Sequence, residues 1–274
     1  MKRVKLVVAY DGTKYCGWQV QDNGVTIQGL LNQYLSELLE EDIKTIGASR
    51  TDSGVHALGN VAVFDTNMQM PINKIAFALN ARMPEDIKIQ SSEEVDADFH
   101  PRFRKSFKTY EYRILNRTFA DPTCRLNTFF HYGNLDFEEM KKAASYLVGN
   151  YNFKGFSADN PQTKTTVREV YATELVKKDD IITFRITGNG FLYNMVRIIV
   201  GTLLEIGKGT YSAEQVKLII RKRDRSLAGP TARALGLTLI NIEYPKGDIQ
   251  EIRKEVEKRW KNAKNPEKTI DTRG

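Results

Sequence analysis

Gly47-Ala48-Ser49-Arg50-Thr51-Asp52-Ser53-Gly54-Val55-His56-Ala57 holds a single carboxylate between two short apolar runs. Residues 43–46 before it read as a strand, and residues 60–64 after it, with Val61 and Val63 apolar, read as another. The polar link carries Gly47 and Gly54, with Gly59 just beyond, and glycine is placed where a backbone turns sharply or lets a ligand approach. Asp52 lies at its middle, with Arg50 and His56 on either side. On pattern alone the simplest reading is a turn whose Asp bonds its own backbone. The alternative is a catalytic carboxylate presented on a loop.

Working upstream, residues 5–9 form an apolar strand, followed by an Asp-Gly turn crowded by Tyr10, Tyr15 and Trp18. That aromatic cluster either caps a core or offers a surface where aromatic and basic groups meet RNA. Thr26 predicts a helix start, with Ile27, Leu30, Leu31, Tyr34, Leu35 and Leu38 recurring at helical spacing up to about Glu40. Downstream, Pro71 opens a second helix and residues 87–90 make another strand. The order β-α-β-β-α-β is that of a ferredoxin-like unit, ending near His100.

His100-Pro101-Arg102-Phe103-Arg104 links this unit to the rest, with Pro101 restraining the linker. Residues 106–115 alternate strictly, so Tyr110 and Tyr112 point to one face, where strand tyrosines ordinarily pack in a core. A strand over 129–132, a helix capped by Asp136 to about residue 147, and strands over 170–177 and 181–187 follow. Residues 190–204 read as a helix apolar almost all round, with Arg197 in its middle. A buried guanidinium needs a carboxylate, since removing one member of a buried pair costs roughly 3–5 kcal/mol. Otherwise Arg197 snorkels to the surface. A helix after Ser212 and a strand over 237–244 close this half. The expected fold is α+β: an N-terminal domain over 1–103, a C-terminal domain over 104–245, and a charged helix or frayed tail from 246 onward.

Composition narrows the function. With 41 Lys and Arg against 34 Asp and Glu, the net charge is +7, which suits either plain solubility or a polyanion partner. No apolar run is long enough for a bilayer span, and no signal peptide is visible. Two distant cysteines and three histidines suggest reduced thiols in a cytosolic protein and argue against a zinc site.

Arg50-Thr51-Asp52-Ser53-Gly54-Val55-His56-Ala57 resembles the catalytic loop of the tRNA pseudouridine synthase A family. Ordered companions extend the resemblance over roughly residues 3–245: the Tyr10–Gln19 segment, the His100–Arg104 linker, Tyr110-Glu111-Tyr112, Asn150–Phe156, the Met195-Val196-Arg197 helix, and Gly229-Pro230-Thr231-Ala232 leading to Gly236-Leu237. Asn152 stands where the family more often has Asp. The resemblance implies a pseudouridine synthase fold of two ferredoxin-like halves with mainly antiparallel sheets and the active-site cleft between them. It implies Asp52 as the catalytic carboxylate, Arg197 as its partner, and Tyr110 against the target base. Arg50, as wedge or phosphate ligand, His56 and Arg102 are the further substrate-side candidates. The family pattern reads His56 as support for the loop. The implied substrate is tRNA, at uridines in the 3′ half of the anticodon stem-loop, with no cofactor and a homodimeric enzyme. The alternative from another class is a non-catalytic RNA-binding protein, against which the lack of an RNP1-type strand counts.

Overall fold

Val4, Leu6, Val8 and Tyr10 alternate with half-exposed residues along β1 (Lys2–Tyr10), so one face of the strand is buried. In the computed structural model, which describes residues 1–158 and 164–245, this alternation continues across one ten-stranded sheet. The charged tail read from residue 246 lies outside the described residues.

The N-terminal half runs through α1 (Ile27–Leu39), β2 (Ile46–Gly47), β3 (His56–Thr66), α2 (Ile72–Asn80) and β4 (Ile87–Val95). Thr26 caps α1, its side chain accepting from the Gly29 amide. The second half runs through β5 (Phe107–Asn116), β6 (Phe129–His131), α3 (Phe137–Ser145), β7 (Gly149–Asn152), β8 (Val167–Lys178), β9 (Ile181–Gly188), α4 (Met195–Gly207), α5 (Gln215–Lys222) and β10 (Leu237–Glu243). Asp136 caps α3 through the Glu139 amide.

The sheet order is β4-β1-β3-β10-β5-β9-β8-β7, with β2 on β3 and β6 on β5. Apart from the parallel β10–β3 and β5–β6 pairs, every pairing is antiparallel. β10, the last strand of the described residues, therefore stitches the halves together, parallel to β3 at Thr238 and Leu239 and antiparallel to β5. Leu239, Tyr110 and Ile186 lie in cross-strand register, as do Leu237, Tyr112 and Phe184, and all six are buried. On the other face of the same strands, Arg185 donates to Glu111 (2.6 Å) and pairs with Glu174 (3.5 Å).

Three of the boundaries that differ from the sequence expectation bear on the site. The strand expected over 43–46 is only the two residues of β2. The strand expected to begin at residue 60 begins at His56, so Gly59 lies inside β3, against the backbone of β10. The helix expected from residue 190 begins at Met195, because Asn194 adopts a left-handed conformation (φ 58°) that a helix cannot pass through. Arg197 therefore sits in the first turn of α4, not at its middle.

One glycine fixes where that turn lies. A β-carbon on Gly201 would stand 1.6 Å from the Pro230 carbonyl oxygen, so α4 and residues 228–232 touch backbone to backbone. Gly201→Ala is expected to force them apart at a cost of about 1–3 kcal/mol. Thermal unfolding should show the midpoint lowered by several degrees, roughly 2–4 °C per kcal/mol at this size. An unchanged midpoint would contradict the close approach.

Candidate active site

The Asp52 loop spans residues 48–55, between β2 and β3. Its shape is imposed by the segment upstream. The Tyr10 hydroxyl bonds the Thr51 hydroxyl (2.8 Å), the Trp18 amide donates to the Thr51 carbonyl (3.1 Å), and the Ser53 hydroxyl and Gly54 amide donate to the Tyr15 carbonyl (3.1 and 3.3 Å). Gly54 completes the turn at φ 76°, a conformation open to glycine at little cost. Tyr10, Tyr15 and Trp18 are all buried, so of the two readings of that aromatic cluster the core-capping one holds: these rings support the loop and are not an RNA surface. Asn60, fully buried on β3, donates to the Ser49 carbonyl (3.0 Å) and to Tyr10 (3.3 Å). Sequence reasoning passed over Asn60; its signal was a lone amide in an otherwise apolar strand, which must find partners when buried.

From the first turn of α4, Arg197 reaches Asp52. Nη1 donates to Asp52 Oδ2 (3.2 Å) and to Asn194 Oδ1 (2.7 Å), while Nε donates to the Ala232 carbonyl (2.8 Å). Three acceptors on three segments fix the guanidinium, and the left-handed Asn194 is the residue that aims one of them. The side chains of Arg197 and Asp52 are 18% and 20% exposed, so the pair is sheltered yet open to a ligand. Burial raises the Asp52 carboxyl above the usual range, and Arg197 opposes that rise.

Tyr110 on β5 enters from the same side as Arg197 in sequence. Its hydroxyl bonds Ser49 Oγ (2.8 Å), in the Asp52 loop, and its ring meets Phe191 edge to face at 5.2 Å. Burial pushes the Tyr110 hydroxyl up to about 12, so it stays protonated at neutral pH. Two residues earlier on β5, Lys108 donates to the Ala48 carbonyl (2.8 Å). Burial lowers Lys108 to about 8, with Arg102 and Arg168 adding like-charge repulsion. Arg102 is held down by burial and by Arg50. Arg50 and Arg102, and Arg102 and Lys108, thus feel each other's charge at the loop, and Arg168 reaches Lys108 electrostatically; Lys108 and Arg168 were not singled out from sequence.

His56 is the exception among the candidate substrate-side residues. It is buried, Nδ1 lies 3.1 Å from the Gly12 amide and from an Asp11 carboxylate oxygen, and Nε2 lies 3.1 Å from the Leu235 carbonyl. Both ring nitrogens are engaged by protein, one in each half of the chain. That geometry ties β3 to the segment before β10.

The arrangement offers one sheltered carboxylate, a fixed guanidinium beside it, an aromatic ring and a cationic rim. A sheltered carboxylate of this kind can stabilise or trap positive character on a carbon, and cations can hold a polyanion. The sequence profile of a family described as tRNA pseudouridine synthase matches residues 6–104 and 143–245. The chain belongs to the tRNA pseudouridine synthase family, and with it to the isomerases. Its curated relatives include proteins named tRNA pseudouridine synthase A. That of Acetivibrio thermocellus is 46% identical over 89% of this chain and all of its own length, and that of Thermoanaerobacter pseudethanolicus 47% identical with the same coverage. Among solved structures, an archaeal box H/ACA Nop10–Cbf5 complex covers 73% of this chain and 44% of its own, with 10% identity and a TM-score of 0.35. No helix of the described residues is long and apolar enough to cross a membrane.

Proposed function

We propose that the protein isomerises uridine to pseudouridine in the 3′ half of the tRNA anticodon stem-loop, with Asp52 as the catalytic carboxylate. The observation that carries this reading is the Asp52–Arg197 contact, which joins residues 145 positions apart at a partly open site. The reaction breaks the uridine N1–C1′ bond, turns the freed base and joins C5 to C1′. The hydrogen on C5 leaves as a proton, and N1 ends protonated. An ionised carboxylate beside C1′ meets the charge that develops there, and Arg197 keeps that carboxylate ionised against burial.

The target base must leave its stack to reach a sheltered carboxylate. Tyr110 is its stacking surface. Arg50 is the wedge or phosphate contact, Arg102 a second phosphate contact, and His56 the anchor of the loop. Residues 1–103 supply Asp52 and residues 104–245 supply Tyr110 and Arg197, which makes the division between them the catalytic cleft. The family resemblance also carries a homodimer working in the cytoplasm on tRNA.

Incubation with unmodified bulk tRNA tritiated at uracil C5 tests the reaction. Tritium should appear in water, and a protein that only binds RNA would release none. Tyr110 gives a second test. Tyr110→Phe keeps the ring against Phe191 and orphans only the Ser49 hydroxyl, at about 1 kcal/mol. Tyr110→Ala also empties a buried site, at about 3–5 kcal/mol. Single-turnover rates should fall much further for Ala than for Phe, because stacking goes with the ring. Equal, near-wild-type rates in both would make Tyr110 a core residue and nothing more.

A further inference from the structure

Phe103 is 84% exposed, although the phenylalanines nearest it in sequence, Phe99 and Phe107, are buried. It is nonetheless held in place. Its amide and that of Arg104 donate to the His100 carbonyl (3.2 and 3.0 Å), and the Arg102 amide donates to His100 Nδ1 (3.2 Å). The turn is pinned to the body by Tyr244, whose hydroxyl donates to the Pro101 carbonyl (2.8 Å) and whose ring packs on Phe99. Within it the Phe103 ring lies flat on the His100 imidazole, centroids 4.0 Å apart and planes 21° from parallel. One ring face is thus occupied by His100, and the exposure of the ring leaves its outer side to solvent. Burial and the neighbouring Arg102 lower the His100 pKa, so the imidazole backing the ring is uncharged at neutral pH.

Its surroundings are cationic, not apolar. Arg102, Arg104 and Lys105 flank it in the chain, and all three are exposed. Arg104 pairs with Asp96 (3.3 Å), while Arg102 faces Arg50 of the Asp52 loop and raises the local potential at Lys108. A protein partner docking on an exposed ring would need apolar neighbours to bury with it. A flat ring ringed by cations fits a base with its phosphates, because every base has a π-face and every linkage a charge.

We propose that the Phe103–His100 pair is a stacking platform for an unpaired RNA nucleobase at the rim of the Asp52 cleft. This deepens the tRNA reading and rests on it. The base stacked here is a neighbour of the target and not the target, since the Tyr110 ring assigned to the target is buried and the Phe103 ring is exposed.

Binding of unmodified tRNA is measured first on the Asp52→Asn background, where turnover does not intervene. Phe103→Ala should weaken affinity between about 5-fold and about 150-fold, the range for losing one base–aromatic stack. Phe103→Tyr should restore it to within about threefold. The slope of log affinity against log salt should be unchanged in Phe103→Ala but shallower by about one in Arg102→Ala, which separates a base contact from a phosphate contact. Phe103→Trp on the same background adds a reporter whose fluorescence, after subtraction of the parent, should be quenched by tRNA and untouched by heparin, a polyanion without bases.

Wild-type affinity in Phe103→Ala, or equal quenching by heparin, overturns the platform. So does a change in sedimentation of Phe103→Ala without a change in RNA affinity, which would give the ring to a second copy of the chain. Tritium release by the wild-type enzyme is followed alongside. Its absence would overturn the functional reading, while the titrations, which need no turnover, still decide the platform.

Discussion

Asp52→Asn is expected to lower tritium release from uracil-C5-labelled tRNA by at least about a thousandfold, a barrier change of roughly 4 kcal/mol. Affinity for tRNA should stay within about threefold of wild type, because it rests on phosphate contacts made by other residues. The substitution keeps the shape of the side chain and an oxygen for Arg197 Nη1, so the loop held by Tyr10, Tyr15 and Asn60 should keep its position. What it removes is the negative charge. A near-wild-type rate would mean that the loop carboxylate is a turn residue, the simplest reading of its sequence.

Arg197→Met should produce the second large effect. It retains much of the side chain's volume and takes away three donated hydrogen bonds, to Asp52, Asn194 and the Ala232 carbonyl. Asp52 then keeps the burial that raises its pKa and loses the cation that opposes it, so the pKa rises further. The rate should fall, and its acid limb should move to higher pH. Stability follows from linkage. With a folded pKa above the unfolded one, the folded chain keeps a proton on Asp52 that the unfolded chain has released. Stability therefore declines as pH rises from the ordinary carboxylate value through the folded pKa. Arg197→Met widens that window upward. Adding Asp52→Asn removes the titrating group, so the double variant should regain stability above the window without regaining activity. A double-mutant cycle measured by denaturant unfolding at neutral pH should show coupling, and additive effects would mean that the two residues do not interact.

That Arg197 needs an acid was legible in the sequence for a physical reason, because an arginine buried in an apolar helix demands one. That the acid is Asp52 was implied by the family resemblance, and the structure brings the two together. Most elements were legible too, since strand alternation and the Thr26 and Asp136 caps are local signals. What was not legible is non-local. Nothing in residues 237–243 announces that this strand runs parallel to β3 and antiparallel to β5, because that choice is made by packing against strands far away in the chain. The start of α4 was misplaced because the apolar run continues through Phe191 and Leu192, while a single left-handed Asn194 breaks the helix. Burial of Tyr10, Tyr15 and Trp18 under the loop followed neither from their composition nor from their spacing. Asn60 and Lys108 were missed because each is one polar residue in a strand, and only the folded sheet brings both to the carbonyls of Ser49 and Ala48.

The central claim is that Asp52 acts ionised, held so by Arg197. Single-turnover tritium release measured against pH, for wild type and Arg197→Met side by side, tests it most directly. The account predicts an acid limb above the ordinary aspartate range in the wild type and a further upward displacement in Arg197→Met. Superimposable acid limbs would contradict it.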